Sequence, residues 1–253
     1  MTSGSAINSP GLHEPFPAIP LRSILLSVDA VYESRLMKAR SHLPVRPLHD
    51  IIELAKSTAV TIPIEAHTFG ESPYQDLVAI CAIVCRLKPR RAFEFGTFTG
   101  STTRAMILNA PASTEVWTLD LTDQQRAAAV GLNAWNRTVD ESVIGMSFHG
   151  KAEATRIHQI MGNSLDLDTR RFRSKIDVVF IDASHGYRYV LSDTAKAFEM
   201  LSPGGVILWH DYPTFPGVRR VLEELPAECT PVRIHGTTTA VFCQSKPVRS
   251  RRP

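Results

Sequence analysis

Arg91 to Arg104 reads R-A-F-E-F-G-T-F-T-G-S-T-T-R, and the fold of the chain follows from it. Ala92-Phe93-Glu94-Phe95 is a short apolar run with one acid inside it, the pattern of a buried strand. The run breaks at Gly96, passes through a loop ending at Gly100, and opens at Ser101-Thr102-Thr103 into a helical pattern. Strand, glycine turn and helix start, in that order, build a nucleotide-type pocket. The glycines let backbone pass close under a ligand, and the helix start offers unpaired N–H groups. Gly96 and Gly100 are spaced G-x-x-x-G. That spacing excludes both the dinucleotide fingerprint G-x-G-x-x-G and the phosphate loop ending in G-K-[ST].

On either side of this stretch, strand and helix patterns alternate. Ser72-Pro73 reads as an N-cap with proline at the first helical position, starting a helix over Tyr74 to Leu87 that carries Leu77, Ile80, Cys81, Val84 and Leu87 on one face. Downstream, strands are expected at Glu115 to Leu119, Arg156 to Met161, Asp177 to Ile181 and Val206 to Trp209. Helices are expected at Gln124 to Leu132, Leu191 to Leu201 and Val218 to Leu225, with a closing hairpin from Pro231 to Cys243 around Gly236. The fold class is α/β: a doubly wound, mostly parallel, seven-stranded sheet with a terminal antiparallel hairpin. Ligands of such a sheet lie outside the carboxyl ends of its strands. Upstream, Leu21 to Met37 and Leu48 to Thr58 read as helical pieces of a lid or a dimerisation arm. Trp135 to Ala154 reads as an irregular insertion near the pocket mouth, where Trp135 and His149 are candidates to touch substrate, and Trp117 reads as sheet core. The expected division is a flexible and helical extension over 1–70, the main domain over 71–246 and a basic tail over 247–253.

Composition limits the function. The 253 residues are 43% hydrophobic and 21% charged with a formal charge of +3, ordinary for a globular protein. No aromatic and basic stripe accompanies the tail arginines Arg249, Arg251 and Arg252, so no nucleic-acid partner is expected. No apolar run approaches the roughly 20 residues of a membrane span. No membrane partner and a cytoplasmic location are therefore expected. Cys81, Cys85, Cys229 and Cys243 lack C-x-x-C spacing and read as free thiols.

Polar residues gather where the strands end: Glu94, Asp120, Asn163, Asp182, His210 and Asp211. Asp120 can accept hydrogen bonds from both ribose hydroxyls of an adenosine, or else cap the helix after it. Glu94 can hold the glycine-loop backbone or a ligand's ammonium group. Asn163 and Ser164 can meet an adenine or cap the next helix.

The turn, as E-x-G-x-x-x-G, resembles that of class I S-adenosylmethionine-dependent methyltransferases. The segments I-D-A-S-H-G-Y (Ile181 to Tyr187) and P-G-G-V-I-L-W-H-D-Y (Pro203 to Tyr212) sharpen the resemblance. They are similar to those of metal-dependent sugar and natural-product O-methyltransferases of the macrocin and mycinamicin type. The resemblance spans about Ser72 to Gln244 and implies a Rossmann-like methyltransferase fold. It implies a donor pocket of Glu94, Gly96, Thr97, Gly100, Ser101, Asp120, Asn163, Ser164 and Asp182. It further implies a cation, Mg²⁺ or Mn²⁺, held by Asp182 and Asp211 with His210 adjacent. The family often has an acid where His210 stands, and imidazole suits Mn²⁺ or Fe²⁺ better than Mg²⁺. His185 falls where the sugar-methylating relatives keep a general base; the alternative is a cap for the helix at Gly186-Tyr187.

The function these readings give is methylation of a small-molecule hydroxyl with cation assistance, by a chain able to form a homo-oligomer. The rival readings are a metal-independent or N-directed methyltransferase and a non-catalytic adenosine-binding subunit.

Overall fold

The computed structural model describes residues 42–54, 57–63, 72–129, 132 and 139–244. The helix expected over Leu21 to Met37, Trp135 and the basic tail lie outside them.

One eight-stranded sheet runs through the described residues in the order β1-β7-β8-β6-β5-β2-β3-β4. Its strands are β1 (Val45–Arg46), β2 (Arg91–Phe95), β3 (Glu115–Asp120), β4 (Ile157–Met161), β5 (Ile176–Ile181), β6 (Leu201–Trp209), β7 (Val232–Ile234) and β8 (Ala240–Cys243). The helices are α1 (Leu48–Ile51), α2 (Tyr74–Leu87), α3 (Ser101–Asn109), α4 (Asp123–Ala128), α5 (Tyr187–Met200) and α6 (Pro216–Glu223). All pairings are parallel except those of β8 with β6 and with β7. The chain order reverses at β2, which sits between β5 and β3. The glycine turn therefore leaves the sheet at its switch point, where this class of fold binds ligands.

Alternation along the strands builds two layers. Phe93, Phe95, Val179, Ile181, Ile207 and Trp209 face a core shared with Val190, Ala197 and Met200 of α5 and Val218 and Val221 of α6. Ala92, Val178, Phe180, Val206 and Leu208 face the opposite core, with Ile80, Ile83 and Val84 of α2 and Met106 and Ile107 of α3. Each large apolar side chain fully buried this way stabilises the fold by roughly 1.5–3 kcal/mol.

Several boundaries differ from expectation. The sheet gains an eighth strand, β1, a two-residue piece paired with β7. The helix expected over Leu48 to Thr58 stops at Ile51; Ile52 turns extended and is buried against the α2 core instead. The cap of α2 is Pro73, not Ser72, and no side chain caps it. Thr122 caps α4 in a reciprocal box with Gln125. α5 starts four residues early, at Tyr187, and β6 runs back through Pro203 and Gly204 to Leu201. Trp117 packs against the core from a half-buried position: it meets the Phe172 ring at 5.5 Å, stacks on His158 with centroids 4.8 Å apart, and has the Arg91 guanidinium 5.9 Å from its ring. The four cysteines are free, as expected. Among the described residues no helix is long and apolar enough to cross a membrane.

Candidate active site

The glycine turn is held from several sides. Gly96 has φ +93° and Gly100 φ +80°, both in the region glycine favours. A Cβ on Gly96 would lie 2.2 Å from the backbone oxygen of Asp182, so the glycine lets two strand ends pass in contact. A Cβ on Gly100 would lie 2.4 Å from the Phe148 ring. Between them Phe98 takes φ +45°, an uncommon conformation for a side-chain-bearing residue. Its N–H donates to Asp120 Oδ2 at 2.8 Å, and its carbonyl accepts from Gly145 N–H at 2.7 Å. Ser147 N–H donates to Thr99 O at 2.8 Å. The 144–148 segment is thereby strapped onto the turn. His149, next along, is exposed and pairs with Gln159 at 3.0 Å.

The acids of this half are engaged within the protein. Asp120 does not cap a helix: besides Phe98, it accepts from Leu121 N–H at 2.8 Å and from Arg126 Nη2 at 2.9 Å. A carboxylate has about four lone-pair positions, so about one is left to receive a single ribose hydroxyl rather than both. Glu94 is 1% exposed, and its hydrogen bonds go to side-chain hydroxyls rather than to the loop backbone. It accepts from the Thr103 and Thr118 hydroxyls, and Thr118 in turn pairs with Thr97 at 2.7 Å. Burial pushes the Glu94 carboxyl up to about 8. Asn163 caps the short 3-10 turn Ser164–Asp166 through Leu165 N–H at 3.0 Å, and Ser164 is buried. Ser101, half-buried, opens α3 directly after Gly100. A left-handed glycine, a helix start and an acid with acceptor capacity to spare fit an adenosine-type methyl donor.

The second cluster lies at the ends of β5 and β6. His185 Nε2 is 2.7 Å from Asp211 Oδ2 and 3.8 Å from Asp182 Oδ1. His210 Nδ1 is 3.2 Å from Asp182 Oδ1 and 3.5 Å from Asp211 Oδ2. Asp211 adopts φ +63°, which turns it back toward its neighbours. Phe215 stacks on His185 with centroids 4.0 Å apart. Gly186 caps α5 with no side-chain bond, so His185 is no helix cap.

Charge explains the cluster. Burial alone would raise the pKa of both carboxylates, but the imidazolium of His210 and hydrogen bonds from both histidines hold them below their ordinary value. Burial alone would lower the pKa of the histidines; the two carboxylates outweigh it, raising His185 to about 9 and His210 well above its ordinary value.

Ligand-capable atoms of Asp182, His185 and Asp211 all lie within 4.8 Å of one another, a group that could hold a metal ion. Two carboxylate oxygens and an imidazole nitrogen suit Mn²⁺ or Fe²⁺ and tolerate Mg²⁺. Here the expected roles shift. His185, expected as a free base, has its Nε2 turned onto the carboxylates, while His210 lies deeper, 6% exposed, with Nε2 on Thr238 at 3.2 Å. Sequence reasoning missed Ser72. Its hydroxyl reaches Asp182 Oδ2 at 3.4 Å and Thr102 Oγ1 at 3.3 Å, linking the cluster to the first turn of α3. A serine before a proline carries an N-cap signal, and that signal concealed this role.

The glycine turn and the carboxylate–imidazole cluster lie side by side at the strand ends of a doubly wound sheet. Residues 93–212, which contain both, match the family model described as a methyltransferase domain. That segment is similar to a methyltransferase domain, and the sheet around it is doubly wound in the Rossmann-like manner. No curated protein matches the sequence significantly. Among solved structures, the chain is similar to the O-methyltransferase TomG from Streptomyces achromogenes, involved in tomaymycin synthesis and solved with SAM: 19% identity, TM-score 0.51, covering 87% of this chain and 96% of that one. It is also similar to the SAH-bound methyltransferase PaMTH1 from Podospora anserina, at 13% identity and TM-score 0.50, over 93% of this chain and 100% of that one. At such identities the likeness is one of fold.

Proposed function

We propose that the protein is an S-adenosylmethionine-dependent O-methyltransferase acting on a small-molecule hydroxyl with the help of a divalent cation. The observation that carries this reading is the convergence of Asp182, His185 and Asp211 beside the glycine turn, with the Asp182 backbone packed against Gly96. The donor-bound state of the TomG structure supports the choice of donor. The segments around Asp182 and Asp211 favour a sugar or other natural-product hydroxyl as acceptor.

The reaction breaks a C–S bond of the sulfonium, forms a C–O bond and releases the hydroxyl proton. Gly96 to Ser101 would bind the donor, with Asp120 at its ribose. Holding donor and acceptor in line supplies much of the rate. Asp182, Asp211 and His185 would hold the cation. When bound, such a cation supplies positive charge beside the acceptor and makes its hydroxyl more acidic. In this arrangement His185 is spent as a ligand. Without a cation, the two imidazolium groups are what balances the two carboxylates among the described residues.

The 2.7 Å contact between His185 and Asp211 favours a second reading, in which no cation binds and the pair acts as the base. A histidine raised to about 9 takes up a proton from substrate efficiently only above that pH. The test is calorimetry with S-adenosylhomocysteine, followed by methyl transfer to a panel of hydroxylated natural products with and without chelator. The expected result is donor binding, loss of turnover in chelator and recovery with Mn²⁺ or Mg²⁺. Turnover undiminished in chelator and rising toward pH 9 would establish the base pair instead. An absence of donor binding would overturn the methyltransferase reading.

A further inference from the structure

Behind the cluster lies a buried polar layer that no part of the scheme above uses. Asp76, in the first turn of α2, is 0% exposed. Its Oδ1 accepts from Thr238 N–H at 3.0 Å, from Thr238 Oγ1 at 3.2 Å and from Thr239 Oγ1 at 2.6 Å. Thr238 Oγ1 also lies 3.2 Å from His210 Nε2, and Asp76 Oδ1 lies 3.8 Å from the same nitrogen. Both threonines belong to the turn between β7 and β8, so the layer ties α2 to the hairpin underneath His210.

The direction of the hydrogen bonds follows from chemistry. Thr238 Oγ1 donates to Asp76 Oδ1, so its hydroxyl hydrogen is committed there. The Thr238 oxygen is left to accept, and the donor facing it is His210 Nε2–H. With one hydrogen fixed on Nε2, the proton that His210 gives up to an incoming cation is the one on Nδ1, and the lone pair it uncovers is there. That atom faces Asp182 Oδ1 at 3.2 Å and Asp211 Oδ2 at 3.5 Å. Donor atoms sharing a cation at about 2.1 Å stand about 3 Å apart, so Nδ1 is spaced as a fellow ligand.

We propose that Asp76 and Thr238 are positioning residues that select the Nε2–H tautomer of His210 and so make its Nδ1 a ligand of the cation held by Asp182 and Asp211. The proposal rests on the cation reading above and deepens it. Partners of this kind, which fix the ring and tautomer of a ligating histidine, typically carry 10–100-fold in metal affinity.

The experiment measures Mn²⁺ binding by paramagnetic resonance on the full chain, without donor or acceptor. Thr238→Val, close in shape but without the hydroxyl, should weaken Mn²⁺ binding by about 10–100-fold. Asp76→Asn should weaken it in the same direction, and Thr238→Ser should restore it. Thr239→Val is the control: its hydroxyl also donates to Asp76, yet no bond connects it to His210, and Mn²⁺ affinity should stay within about twofold of wild type. S-adenosylhomocysteine affinity should be unchanged in all four. Equal losses in Thr238→Val and Thr239→Val would show a purely structural layer and overturn the proposal. Full Mn²⁺ affinity in Thr238→Val would overturn it as well. A wild-type protein that binds the donor but no Mn²⁺ would remove the cation reading itself, an outcome distinct from the other two.

Discussion

The two halves of the site solve opposite problems. On the glycine-turn side, Asp120 and Glu94 are consumed by internal hydrogen bonds, to Phe98, Leu121 and Arg126 in one case and to Thr103 and Thr118 in the other. These acids keep a left-handed loop in shape, and a ligand has only their spare capacity. At the ends of β5 and β6, Asp182 and Asp211 face each other across His185 and His210, and no arginine or lysine is found paired with them among the described residues. On the proposed reading that side would attract a cation, so that geometry preorganises the donor half and electrostatics the acceptor half. Among the contacts that join them are Gly96 against Asp182, and Ser72 between Asp182 and Thr102.

Gly96→Val attacks the first of these joints and should have the largest effect. β2 is central in the sheet, and the atom nearest a new Cβ is backbone of Asp182. The new side chain must displace a strand end and also adopt a left-handed φ. Overpacking and that strain together should cost about 3 kcal/mol or more. Urea denaturation would register the loss, and any folded fraction should be impaired in Mn²⁺ binding as well as donor binding. Intact Mn²⁺ binding in a folded variant would show the halves to be independent.

Asp120→Asn tests the donor half alone. It keeps an acceptor for Phe98 N–H but removes the charge facing Arg126 and any ribose. Donor affinity should fall by roughly 1.5–3 kcal/mol, the scale of hydrogen bonds to a charged group. Calorimetry with S-adenosylhomocysteine measures this, and Mn²⁺ affinity should stay at its wild-type value. Parallel losses in both ligands would break the division drawn above.

How much of this the sequence discloses depends on the range of the interaction. The strand–turn–helix at Arg91 to Arg104 and the position of Tyr74 to Leu87 are legible, because periodicity and glycine are local signals. So is the gathering of Asp182, His185, His210 and Asp211, since parallel strands bring their carboxyl ends to one edge. The T-x-x-Q capping box at Thr122 was also readable, and the expected helix start at Gln124 passed over it. What stays hidden is pairwise and long-range. β1 is two residues between prolines and exists only because β7 offers an edge. Asp76 acts on Thr238 across 162 positions of sequence, and Ser72 on Asp182 across 110. Which histidine reaches the front of the cluster depends on the turn of Asp211 and the stacking of Phe215, and neither leaves a pattern in the sequence.

The smallest effect is expected at Asp193, an acid of α5 that neither half uses. It is 0% exposed, and burial pushes its carboxyl up to about 7, against weaker pulls downward from the Ser164 hydroxyl and the charge of Lys196. It lies beneath the turn that Asn163 caps, on the donor side, where the other acids are well satisfied. An acid whose folded pKa is raised destabilises the protein as pH rises. Below about pH 4 both folded and unfolded forms hold the proton, and nothing is lost. Between about 4 and 7 the unfolded chain ionises while the folded one keeps its proton, so stability falls, and above 7 the penalty is complete. Asp193→Asn removes the ionisation and keeps the shape. It should stabilise the protein at pH 8 by about 1–2 kcal/mol, below the full linkage value because the new amide must also find partners. At pH 4 it should be neutral or slightly destabilising. Urea midpoints at the two pH values decide the matter. A variant with the wild-type pH slope would mean that the Asp193 carboxyl titrates alike in the folded and unfolded chain, and that its burial carries no penalty.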